Sequence, residues 1–218
     1  MIVRLLGPVG LACLGIWLNS LTPEKMIADL FLYFAQFPNK RGVRAMATLG
    51  KSQFEEYAQM LDAIDAIEGD GRVPKIDHYV YGQTFDELKQ LVDTLTGCFL
   101  FADYGEFELA DDGRRSYQCT QRLAVTVAMK HTDHADALER VIVSNRTLQL
   151  LTAVHAWMMA DAERGRLTWL SRSSLEHAEI VPFVATELKA SGWTLMLNAT
   201  APDALGTHAL KRSFERQG

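Results

Sequence analysis

The chain has 218 residues, a formal net charge of −5, 48% hydrophobic side chains and 22% charged ones. Those values exclude a disordered acidic polymer, a collagen-like repeat and a multi-span membrane protein. A chain of this size buries roughly 70% of its unfolded surface, so it needs neither disulfides nor metal to fold.

The net charge is the remainder of an uneven distribution. Residues 51–112 carry fifteen acidic and four basic side chains, while the stretches on either side are each mildly basic. Two readings are open: an acidic face turned to water, or a subunit with unlike sides that dock head to tail. No basic block is strong enough for sequence-specific nucleic-acid binding. Cys13, Cys98 and Cys119 show no Cys-x-x-Cys spacing and are odd in number. Cys98 and Cys119, in apolar strand-like runs, read as small buried hydrophobes, and a reducing compartment fits the set.

Fourteen of residues 1–21 are hydrophobic and only Arg4 is charged. A signal peptide or anchor is one reading, which would place the protein in the cell envelope. Gly7, Pro8, Gly10 and Gly15 weaken a membrane span, which needs about 20 apolar residues. A buried arm or an upstream extension before Met26 is the other. Thr22, Pro23 and Glu24 then form a helix start, with Thr22 as cap and Pro23 at the first helical position. Ile27, Leu30, Phe31, Phe34 and Phe37 give that helix an apolar stripe up to Pro38. Residues 38–42 read as a loop.

Ser52 with Glu55 three positions on is a capping box for a second helix, carrying Phe54, Tyr57, Leu61, Ile64 and Ile67. Residues 68–72 lack the spaced carboxylates of a calcium loop and read as a turn. A strand over 76–81 follows, then a helix from Gln83 or Thr84 through Leu95, stopped by Gly97. Residues 98–102 form a continuous apolar strand and 105–110 an alternating one. Asp111-Asp112-Gly113 signals a hairpin into a long strand over 116–130, the cleanest period-two pattern in the chain.

A helix is expected over 135–163, with Leu138, Val141, Ile142, Leu148, Leu151, His155 and Met158 on or near one face. A short strand over 167–170 is placed next. Pro182 argues against a continuous helix over 176–188 and suggests a helical start near itself. Trp193 to Leu197 is the last strand. The expected organisation is one α+β domain over 22–200, between the N-terminal segment 1–21 and a C-terminal tail 201–218. Its core is an antiparallel sheet of four or five strands, with helices packed on one face and further helices at the N-terminus.

Chemical motifs are sparse. His131, His134 and Asp136 form the only dense set of metal-ligating types, but no third and fourth ligand can be named. Thr132 or Asp133 is a natural helix cap at the same place. The preferred reading is a turn and cap, with no metal or other cofactor. His155 reads as a core or interface histidine. Ser171, Ser173 and Ser174 lack the G-x-S-x-G spacing of a nucleophile elbow. Glu106 and Glu108 share one face of a strand; they read as a solvated or edge-protecting pair rather than paired catalytic acids. With Arg114 and Arg115 they are the candidate assembly-interface residues.

The order of elements from Phe99 to Asp161, above all YQCTQRLAVTVAMKHTDHADALERVI, resembles small phage neck and tail-completion proteins of the tail-terminator type. EIVPFVATELKASGWTLML is similar to the closing strand of some phage proteins. The resemblance implies a non-enzymatic α+β subunit that assembles with copies of itself and with other virion proteins. It carries over no catalytic residue. A cytoplasmic or virion-associated protein is then expected. An envelope-associated or secreted binding protein held by residues 1–21 is the alternative, and a metal-dependent hydrolase using His131 and His134 the third reading.

Overall fold

The computed structural model describes residues 26–47, 50–82, 89, 92, 95–111, 117–132, 135–167 and 169–202. Residues 1–25, including the expected cap at Thr22 and the apolar segment, lie outside the described residues. So does most of the expected helix before Gly97; of its described residues, Lys89 and Val92 are helical and Leu95 is not.

The fold is α+β. Helix α1 (Met26–Phe34) is followed by α2 (Lys40–Arg44), α3 (Glu55–Asp65), β1 (His78–Gly82), β2 (Cys98–Asp103), β3 (Phe107–Asp111) and β4 (Tyr117–Lys130). Helix α4 (Ala137–Glu163), α5 (Arg172–Glu176), β5 (Glu179–Ala185), a 3₁₀ turn (Thr186–Leu188) and β6 (Ala190–Pro202) complete it. Among the described residues the strands form one six-stranded sheet in the order β1-β2-β4-β6-β5, with β3 also on β4. Only β1 and β2 run parallel.

The sixth strand has a physical origin. β2 and β3 lie end to end along the same side of β4. Asp103 pairs Ala124 and Phe107 pairs Gln121, so three residues, 104–106, stand opposite two. That extra residue is a β-bulge. Gly105 takes φ +56°, and a Cβ there would overlap the Arg122 carbonyl oxygen. The bulge reverses the alternation: Leu100 and Ala102 face the main core before it, and Phe107 does so after it.

The main core lies between one sheet face and the helices. Leu123, Val125 and Val127 of β4 and Leu195 and Leu197 of β6 meet Leu30 and Phe34 of α1, and Leu151, Val154 and Met158 of α4. A smaller cluster on the opposite face joins Val80, Phe99, Phe101 and Ala128 to Val92 and Leu188.

Four sequence expectations are corrected. Residues 38–42 are not all loop: Asn39 accepts a hydrogen bond from the Arg41 amide (2.9 Å) and opens α2, whose Gly42 lets the backbone approach the Asp77 carbonyl. Helix α3 starts at Glu55 without a side-chain cap, because Ser52 instead accepts from the Phe54 amide just upstream (3.3 Å). No strand forms at Leu167, Trp169 or Leu170; the chain bends there into α5. Pro182 sits inside a strand, not at a helix start. It lies on β5, an edge strand that pairs through it with Trp193 of β6, and an edge strand is where a residue without an N–H is tolerated.

Candidate functional site

Lys130 ends β4, and the chain turns through His131 into α4. The His131 amide donates to the Lys189 carbonyl (2.9 Å). Asp136, not Thr132 or Asp133, is the N-cap: its carboxylate accepts from the Glu139 amide (2.8 Å). Glu139 reaches back and accepts from the Thr132 amide (3.2 Å) and hydroxyl (3.0 Å). Both carboxylates are thereby committed to the helix start, reciprocally as in a capping box. His134 lies outside the described residues. Among the described residues no group of three His, Cys, Asp or Glu side chains is placed to hold a metal ion.

Glu106 and Glu108 stand on the sheet face opposite the main core, and both are exposed. Glu108 pairs Thr120, and the Glu106 carbonyl accepts from the Arg122 amide (3.1 Å). β4 and β6 continue here beyond the smaller core. Thr126 and Thr194 are still buried and share a hydrogen bond (2.7 Å). Further along, Arg122, Asn198 and Met196 are exposed, Met196 at 41%. Among the described residues, one face of the outer half of the sheet is therefore exposed, with Glu108 on β3 and Glu106 in the bulge just before it, not on the strand as expected. Arg114 and Arg115 lie outside the described residues.

Sequence reasoning missed the most organised polar site. Asp161 is only 1% exposed, on the inward face of α4. Its carboxylate accepts from the Tyr33 hydroxyl of α1 (3.2 Å) and is ion-paired with Arg72, from the loop between α3 and β1. The Arg166 guanidinium lies 3.8 Å from its other oxygen. The Arg72 guanidinium also sits over the rings of Trp157 (5.2 Å) and Phe37 (5.7 Å). The loop is held by its backbone too, since Arg72 and Val73 donate to the Gln36 and Phe37 carbonyls (both 2.8 Å). Burial, then the nearby Asp161 charge, pushes the Tyr33 phenol well above its ordinary range. A phenol held neutral, a carboxylate shared between cations and a guanidinium packed on rings make a structural clamp. The available signal was spacing: Asp161 continues the buried Thr147, Leu151, Val154, Met158 stripe.

A second polar cluster joins α1 to the sheet. The Tyr79 and Tyr81 hydroxyls donate to the Phe31 (2.9 Å) and Ile27 (2.8 Å) carbonyls, and Tyr81 stacks on Tyr104 with centroids 5.0 Å apart. Burial, helped by Glu106, raises the Asp103 carboxyl above its usual value, against the hydrogen bond it accepts from Gly105. Cys98 is a free, buried thiol, pushed up to about 12 by burial and then by Asp77. It stays protonated at neutral pH, the opposite of an activated nucleophile. His155 contacts the Leu175 carbonyl through Nε2 (3.0 Å) and bridges α4 to α5. Ser171 caps α5, accepting from the Ser174 amide (3.1 Å).

No family model, curated protein or solved structure matches the chain. Among the described residues no helix is long and apolar enough to cross a membrane.

Proposed function

We propose that this chain is a non-enzymatic structural subunit that associates with copies of itself, as a head–tail or tail component of a virion. The observation that carries this reading is the open face on the outer half of the sheet, where Glu108, Arg122 and Met196 stand exposed on paired strands and Glu106 on the bulge beside them. A paired sheet is a rigid platform, and opposite charges on it favour docking in one orientation. The buried and capping polar groups support the same reading: Asp136 and Glu139 close a helix start, and Tyr33, Asp161 and Arg72 clamp the helices together.

Sedimentation velocity of the full chain at low and high salt tests the proposal. Species heavier than one chain, loosened by salt, are expected from contacts between unlike charges. One-chain mass at every concentration and salt refutes it. Electron microscopy of the heavier species then distinguishes closed rings from open chains.

A further inference from the structure

In an antiparallel sheet each residue turns its amide and carbonyl to the same side, and successive residues turn to opposite sides. Hydrogen bonds at the strand ends therefore fix the direction of every residue in an unbroken ladder. The His131 amide donates to the Lys189 carbonyl (2.9 Å), one step beyond the Lys130–Ala190 pair. The Lys130 amide donates to the Gly97 carbonyl (3.2 Å), one step beyond the Met129–Cys98 pair. Odd residues of β4 thus bond to β6, and even ones to β2. In β6 the odd residues bond to β4, and the even ones face β5. The pairing of β5 with β6 is also continuous, so Glu179, Val181, Phe183 and Ala185 bond to Met196, Thr194, Gly192 and Ala190. Ile180, Pro182 and Val184 then turn their backbone outward, to the free side of the sheet.

Pro182 puts its missing N–H at the middle of that free edge. The rest of β5 favours pairing. Its sequence is EIVPFVA, with Glu179 as its one charge, and Ile180 (39%) and Val184 (74%) are exposed. A nearly uncharged, β-branched strand with a bare edge is the kind of segment that adds to another chain. Pro202 repeats the arrangement. It ends β6, past the last residue that β5 covers, and as an even residue it too turns its nitrogen to the free side. Pro182 and Pro202 are the prolines within the described strands, and both stand on this side.

We infer that Pro182 is an edge guard, which keeps β5 from pairing with β5 of a second copy. An antiparallel second β5 centred there would set Ile180 against Val184 at both ends and Pro182 against Pro182 between them. The end pairs can exchange amide–carbonyl bonds. The central pair has carbonyls but no donor, so the ladder breaks at its midpoint and those carbonyls lose water without gaining a partner. Neighbours in the proposed self-association then dock on faces and do not extend the sheet from β5.

Backbone hydrogen exchange and sedimentation equilibrium of the full chain test the guard. In the parent, the Ile180 and Val184 amides are expected to exchange about a hundredfold faster than those of Val181 and Phe183. Slow exchange at Ile180 and Val184 overturns the inference, because another chain or segment then covers the edge. Pro182→Val supplies the missing amide and keeps a residue suited to a strand. In high salt, with the parent at equal concentration as reference, it is expected to associate about tenfold more tightly, with new protection at residues 180, 182 and 184. Pro182→Val with Val184→Lys puts a charge on the opened edge and should return to the mass of the parent. Far-ultraviolet circular dichroism checks that both variants keep the fold, and the exchange pattern of the parent tests the backbone direction without any variant. A mass for Pro182→Val no higher than that of the parent overturns the guard. So does a gain that Val184→Lys leaves intact, since the new contact then lies away from β5.

Discussion

Asp161 is the residue on which three separate parts of the chain converge. Tyr33 and Asp161 are 128 positions apart and Arg72 and Asp161 are 89 apart. Removing one partner of a buried ion pair costs more than the pair contributes, because the other is left without compensation. With Arg72 partly exposed, Asp161→Asn is expected to cost about 2–4 kcal/mol, read from urea denaturation. Tyr33→Phe removes one neutral donor and should cost about 1 kcal/mol. Equal, small losses for both would show that the carboxylate does not hold the site together.

The same scale predicts an alkaline limit. Burial is the largest cause raising Tyr33, Tyr79 and Tyr81 above their ordinary 10.0, and Cys98 from 9.0 to about 12. The unfolded chain therefore loses these protons first. Their contribution is complete below about pH 9 and is lost as the pH rises toward the folded values. Urea midpoints measured from pH 7 to pH 11 should fall steeply above about pH 9.5; a level profile contradicts the burial of these groups.

At the scale of elements, alternation in β4 and apolar spacing in α4 were enough to place both from sequence. Each pattern runs over more than ten residues, so packing elsewhere rarely overrides it. What stayed hidden was non-local. The bulge at Gly105 becomes visible only when two strands are laid along one partner. Pro182 looks like a strand breaker until its strand is known to be an edge. For α4, the apolar residues were legible but their division was not: Leu138, Val141 and Ile142 point outward while Leu151 and Met158 point inward. The Tyr33–Arg72–Asp161 clamp had only the faint signal of an acid on an apolar stripe, and nothing local ties it to residues 33 and 72. Gly105→Ala tests the bulge. It adds a Cβ against the Arg122 carbonyl at a positive φ, and about 1–3 kcal/mol should be lost in thermal or urea unfolding. Unchanged stability would mean that β2 and β3 meet β4 in another register.

For the whole molecule, charge and apolar surface divide the labour. The helices α1, α2 and α4 close one sheet face, and the smaller cluster around Phe99 closes part of the other. The acidic stretch 51–112 includes exposed residues of α3, while Glu106 and Glu108 bring its end to the open sheet face.

The most direct test is the mass of the purified full chain in sedimentation equilibrium, from about one to one hundred micromolar. A mass that rises with concentration above the 24.4 kDa of one chain is the predicted result. A value fixed at 24.4 kDa over the whole range, at low and at high salt, contradicts it.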